Sequence, residues 1–514
     1  MGEGFLRFYR ERVRESWKIA FFSALTVGLI AHLFKFTNNL PNHDALFFTY
    51  GTLDYPPNGR WLLSLACALS SFYDLPWLNG LVSLCWIGLT AAVVTDVLAL
   101  RSRVACFLTG ALLVSFPVVT NTFFFEFTAD GYMLAMLLAA LGVRFSLVGE
   151  RRPWALLLAG LCVCCACGIY QAYISFALLL AVCHFMLELL TQAHSARERR
   201  LWIGRQFLVY GGGLLLYWLV WRLLLLVRGL TVSAYQGIDS LGHMDGPALL
   251  HALRESAVTL ARFFLGGNVF QYGWSLYAVL NLLFLLGFAG MLVYAAGKTG
   301  VLRRPGEAAL LLLCLVLLPF FAFIWAFLSP GVGYHMLMLQ SLCVPYLFAV
   351  ALCEHCGTPR LRSAAAVFFL LLVLKFTVQA NVCYFEMERC ARRSEAAATE
   401  MLTRIHALDD GSVRKIAFLE GGDESLMVAY TPALREITVH AHQLRGSLLF
   451  DNTYAGLYLR EMMGADYELV EGEELLALET AEETADMAVW PARDSLRLVG
   501  DTAVIRLPVP SQLY

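Results

Sequence analysis

Apolar runs long enough to cross a bilayer recur along the first three quarters of the chain and stop near residue 384. A hydrocarbon core about 30 Å thick needs roughly 20 apolar residues in a helix. Such runs fall at 19–37, 76–100, 104–120, 131–148, 154–167, 173–190, 206–227, 274–295, 308–328, 336–353 and 364–382. A shorter apolar piece, 61–73, reads as a re-entrant segment or a tilted half-helix. The pattern predicts a polytopic α-helical membrane protein with about 11 transmembrane helices. From Phe385 the pattern becomes that of a soluble domain. "ERCARRSEAAATEMLTRIHAL" has helical spacing, "VRKIAFLEGG" reads as a strand ending in a Gly turn, and "REITVHAH" as a second strand. "LLFDNTYAGLYLREMMG" reads as a helix, and "SLRLVGDTAVIRL" as a hairpin turning on Gly500-Asp501. Strands alternating with helices imply a small α/β domain. The expected organisation is a transmembrane domain over 1–384 and a soluble α/β domain over 385–514.

Composition agrees, with 59% hydrophobic and 15% charged residues. Soluble domains carry nearer ~25% charged residues, so lipid must solvate most of this chain. The net charge of −2 conceals a split. Residues 1–384 hold 26 basic and 17 acidic side chains, whereas 385–514 hold 12 and 23. So acidic a tail argues against nucleic acid or an anionic lipid surface as its partner. Most of the 14 cysteines fall inside apolar runs, as Cys162, Cys164, Cys165 and Cys167 do, and read as small core residues rather than a disulfide frame. The basic N-terminal stretch "MGEGFLRFYRERVRESWK" suits an interfacial helix and lacks a small-residue cleavage site.

Short loops rich in Lys and Arg lie on the cytoplasmic side. "RFYRERVRESWK", "RSR", "GERR", "HSARERRLWIGR", "GKTGVLRRPGE" and "EHCGTPRLRS" alternate with loops much poorer in cations. The N-terminus is therefore expected inside and the C-terminal domain outside. Asp44, Asp54 and Arg60 then share the extracytoplasmic face with Glu126 and Asp130, which belong to the expected outer loop "NTFFFEFTADGY". Lys35, Arg222 and Lys375 fall toward the outer ends of their spans, where a long side chain reaches the interface.

The first outer segment, "NHDALFFTYGTLDYPPNGRW", carries the candidate chemistry. Transfer of a sugar from a lipid-linked donor needs a carboxylate to take a proton from the acceptor hydroxyl. It also needs cationic groups for the departing phosphate and aromatic walls for the sugar. Asp44, Arg60 and the interleaved Phe47, Phe48, Tyr50, Tyr55 and Trp61 supply all three, and Pro56-Pro57-Asn58-Gly59 supplies a turn before Arg60. A transporter would place charges at the bilayer midplane on broken helices, often within internal repeats. A transporter or flippase of a lipid-linked glycan, and a polysaccharide polymerase or ligase, remain the alternatives. Gly421-Gly422 is followed by neither a GxGxxG nor a P-loop pattern.

"NHDALFFTYGTLDYPPNGRWLLSL", "FEFTADGYMLAMLLAALGVRF" and "GIYQAYISFALLL" occur in that order. Together they resemble the serotype-converting, glucosyltransferase-II type family of bacterial O-antigen modification. The resemblance implies a GT-C type fold in the bacterial cytoplasmic membrane, with an undecaprenyl-phosphate-linked glucosyl or related hexosyl donor. It also implies a cell-surface polysaccharide as acceptor and inversion at the anomeric carbon. By position Asp44 inherits the role of general base. Arg60 would bind the donor phosphate, with Asp54, Tyr170 and Gln171 as further binding candidates. Arg262, Tyr334 and His335 are candidates for the donor pocket. Glu126 and Asp130 form a second acidic pair for acceptor hydroxyls or a divalent ion such as Mg or Mn, and no residue pattern decides between these.

Overall fold

The computed structural model describes residues 13–47, 55–70, 73–192, 194–266, 275–421 and 447–508. The chain forms two compact units: one of Met1–Thr37 with Thr52–Asn381, the other of Asn38–Gly51 with Val382–Tyr514.

The first unit is helical. Among the described residues nine helices of the chain are long and apolar enough to cross a membrane, which makes this a multi-pass membrane protein. The stretch Arg103–Val148, one of the nine by length and composition, turns back on itself: Arg103 at its start lies 3.8 Å from Glu15, and Arg144 near its end bonds Asp96, which also holds Arg14, while Glu126 between them meets Lys35. It is helical over Arg103–Ser115 and Pro117–Thr122, takes a 3-10 turn at Phe123–Phe125, and resumes as Glu126–Val148. Pro117 opens a new helix because it has no N–H to donate. Trp154–Ile169 is apolar but shorter than the rest. The expected outer loop at 121–130 is instead a helical and buried connection, with Phe123, Phe124 and Phe125 packed inside. The apolar piece after Arg60 forms the short helix Leu63–Cys67 and a 3-10 turn at Ala68–Ser70.

Three helices, Glu15–Thr37, Pro76–Val97 and Glu126–Val148, are tied at both ends by polar contacts. At one end Asp96 accepts hydrogen bonds from Arg14 (2.6 Å), Trp17 (3.0 Å) and Arg144 (3.1 Å). At the other, Lys35 forms a buried ion pair with Glu126, and Asn79 donates to the Glu126 carbonyl at 3.2 Å. Lys35 therefore does not reach for the interface; its side chain is only 3% exposed. All fourteen cysteines are free thiols.

In the second unit the sheet order is β2-β1-β4-β3, with β1 at Lys415–Gly421, β2 at Glu468–Leu469, β3 at Leu496–Val499 and β4 at Thr502–Pro508. Strand β1 pairs parallel with β4, which pairs antiparallel with β3 across Gly500 at φ 62°. The expected hairpin is in place, and the expected strand at 435–442 lies outside the described residues. Helices Asn452–Glu461 and Gly472–Thr480 complete the α/β unit. Leu46 is buried in the same core as Ile416, Phe418, Leu449 and Ile505, which is how residues 38–51 come to belong here.

Candidate functional site

Tyr55 and Arg60 bridge in antiparallel fashion around a 3-10 turn over Pro56–Asn58. The turn closes with Gly59 in the left-handed region at φ 76°, where a residue without Cβ is at ease. All four of its carbonyls accept hydrogen bonds from side chains or backbone far along the chain. Trp221 donates to Pro56 at 2.7 Å, Ser233 N–H to Pro57 at 3.1 Å, Gln171 to Asn58 at 2.7 Å and Tyr217 to Gly59 at 3.2 Å. Beneath the next residue, Gly168 leaves room for Trp61, whose ring would lie 2.7 Å from an added Cβ.

This turn delivers Arg60 into a group of tyrosines. The guanidinium lies over the Tyr170 ring at 4.7 Å and the Tyr235 ring at 5.8 Å, and donates to the Tyr132 hydroxyl at 3.4 Å. Tyr132 and Tyr170 stack with centroids 4.4 Å apart. Cation–π contacts hold a guanidinium without neutralising it. Among the described residues no carboxylate lies within ion-pair distance of Arg60, and its Nε is buried without a hydrogen-bond partner. Burial pushes the Tyr170 phenol up, so it stays protonated and able to donate. A positive guanidinium beside phenol hydroxyls, with no carboxylate partner among the described residues, is suited to an oxyanion.

Tyr235 is the exposed member of the group and sits on a 3-10 turn, Tyr235–Ser240, with Gln236 and Gly237 at positive φ. Gln236 anchors that turn. Its amide meets His335 Nε2 at 2.9 Å and accepts from Gly333 N–H at 2.8 Å, while Ser329 donates to the Gly237 carbonyl at 2.7 Å. His335 therefore supports the loop that carries Tyr235. Tyr334 accepts from Ala326 N–H at 3.3 Å. Arg262 is exposed near the end of helix Gly246–Leu265, and among the described residues it makes no contact with the Arg60 group.

Glu126 and Asp130 are both buried, at 1% and 0% exposure, and go to different neighbours. Glu126 is neutralised by Lys35, with Asp74 in electrostatic reach. Asp130 accepts from Gly131 N–H at 2.9 Å and faces Cys67 and Ser70. Burial pushes the Asp74 carboxyl up, against the pull of Lys35. Among the described residues no three His, Cys, Asp or Glu side chains gather where they could hold a metal ion.

Asp44 belongs to the second unit. It sits in the 3-10 turn His43–Phe47, where its N–H donates to Asn42 Oδ1 at 2.7 Å. Its carboxylate is 41% exposed, 3.4 Å from His43 Nε2, and accepts from the Tyr454 hydroxyl at 3.5 Å. The His43 and Phe47 rings pack edge-on to Tyr454. Asp54 lies outside the described residues.

The family model for Glucosyl transferase GtrII matches residues 33–352, more than half of the chain. The chain belongs to this family. The match begins within the first apolar helix and takes in the turn before Arg60, the tyrosine group and the Gln236–His335 contact. As a glucosyl transferase family member the protein is a transferase, and the resemblance carried by the three motifs is to this same family. No curated protein and no solved structure matches it.

Tyr132, Tyr217, Trp221, Tyr235, Lys35, Asp74 and Asn79 were not singled out as site residues from the sequence. Tyr132 closes the quoted "FEFTADGY", and Tyr235 stands in the polar "SAYQG" of an otherwise motif-free loop; aromatics beside a lone arginine are the only signal either offers.

Proposed function

We propose that the protein transfers a glucosyl unit from a polyprenyl-phosphate-linked donor to a cell-surface polysaccharide at the outer face of the bacterial cytoplasmic membrane. The observation that carries this reading is Arg60: a guanidinium held among tyrosines, without a carboxylate partner among the described residues, in a glucosyl transferase family chain. In the reaction the acceptor hydroxyl attacks the anomeric carbon and the sugar–oxygen bond to the phosphate breaks. The configuration inverts, and polyprenyl phosphate leaves with one more negative charge. A cation already fixed at that phosphate stabilises the charge as it develops. Arg60 is assigned this role, with Tyr170 at its face. The proton of the acceptor hydroxyl goes to a carboxylate, and Asp44 is assigned as that base on its place in the first loop of the family. The half-exposed carboxylate retains the access to solvent that a base needs to release its proton.

The test is transfer of labelled glucose from a polyprenyl-phosphate donor by the purified full chain. Wild type is expected to form a labelled polysaccharide, and Arg60→Gln to lose about a hundredfold in turnover, the usual cost of one transition-state donor. Unchanged turnover in Arg60→Gln would remove the phosphate role.

A further inference from the structure

Four successive carbonyls, from Pro56 to Gly59, each accept from a donor at least a hundred residues away. A turn of this size satisfies itself with one internal bond, here Gly59 N–H to the Pro56 carbonyl at 2.9 Å, and ordinarily leaves the rest to water. Here the carbonyl oxygens are drawn to fixed donors instead. Left free, they would compete for the guanidinium and repel an anion brought to it. We infer that Gln171, together with Tyr217, is a positioning residue for Arg60: it holds the turn's carbonyls away from the guanidinium and keeps that group open to the donor phosphate. The inference rests on the proposed role of Arg60.

The geometry makes Gln171 the centre of the arrangement. Its amide Nε2 donates to the Asn58 carbonyl and also lies 3.1 Å from the Tyr217 hydroxyl, which itself donates to Gly59. The main-chain carbonyl of Gln171 accepts from Trp325 Nε1 at 3.2 Å, which holds this stretch of chain in place. Its neighbour Tyr170 is the ring under the guanidinium. One dipeptide therefore fixes both the face of Arg60 and the turn that presents it. The Gln171 side-chain Nε2 is spent on protein atoms. Losing it leaves a half-buried carbonyl without its donor at the residue before Gly59.

The experiment is a double-mutant cycle in the full chain in detergent, read as the dissociation constant for polyprenyl monophosphate and as donor KM and kcat. Gln171→Ala is expected to weaken polyprenyl monophosphate binding and raise donor KM about tenfold, the order expected for one lost hydrogen bond, with a smaller change in kcat. In an Arg60→Gln background the same change is expected to add nothing, since a positioning residue has nothing left to position. Tyr217→Phe, which keeps the ring and removes only the hydroxyl, is expected to shift KM in the same direction by a few-fold with the melting temperature unchanged. Equal losses from Gln171→Ala with and without Arg60, or unaltered binding in both Gln171→Ala and Tyr217→Phe, would overturn the inference while leaving Arg60 as phosphate ligand. Unaltered binding in Arg60→Gln would overturn the phosphate reading and the inference with it.

Discussion

At Gly59 an added Cβ would lie 2.4 Å from the Tyr217 hydroxyl and 2.5 Å from the Gln171 amide, and the backbone there is left-handed. Gly59→Ala therefore meets a steric and a conformational penalty together, about 1–3 kcal/mol for the strained backbone alone. It is expected to depress transfer at least as far as Tyr217→Phe does, as donor kinetics on purified protein would show. Arg60→Lys is the complementary change. An ammonium keeps the charge but loses the planar face that lies on Tyr170, so turnover is expected to fall about tenfold rather than recover. The turn itself was legible from Pro-Pro-Asn-Gly, because those residues act locally through fixed φ and αL tolerance. The donors that hold it were not, since Gln171, Tyr217 and Trp221 are brought there by helix packing that no local pattern encodes.

Among the helices, the polar residues that looked like a solvated loop proved to be packing partners. Glu126 opens a buried helix and is matched by Lys35 from the helix Glu15–Thr37. Breaking such a pair leaves a lone charge in a low-dielectric interior and costs about 3–5 kcal/mol. Lys35→Met is therefore expected to lower the melting temperature markedly in detergent, and Lys35→Met with Glu126→Leu to recover most of the loss. A double variant as unstable as the single one would mean that the pair is not what couples these helices. Hydropathy located the apolar runs, but a run broken by "FEFTAD" reads the same whether its acids face water or a lysine on another helix. The same ambiguity hid that the connection between Arg103–Ser115 and Glu126–Val148 is helical and buried. Conversely, the Gly500-Asp501 hairpin was legible, because alternation and a Gly turn are both local signals.

For the whole chain, the assignment of residues 38–51 to the unit of the C-terminal domain bears most on function. That segment holds Asp44, the assigned base, and it is fastened by Leu46, which is 2% exposed among the core side chains of the α/β unit. Leu46→Ala is expected to destabilise that unit by about 2–5 kcal/mol, seen as a lowered unfolding midpoint, and to reduce transfer by loosening the turn that carries Asp44. Composition separated the membrane part from the acidic tail, but a short loop between apolar runs carries no mark of the domain with which it packs. The most direct test of the reaction is glucose transfer from a polyprenyl-phosphate donor to the polysaccharide, measured with the purified chain as wild type and as Asp44→Asn. New glycosidic linkages of inverted configuration with wild type, and their loss in Asp44→Asn, are the expected result. Donor crossing the bilayer with no linkage formed would contradict it.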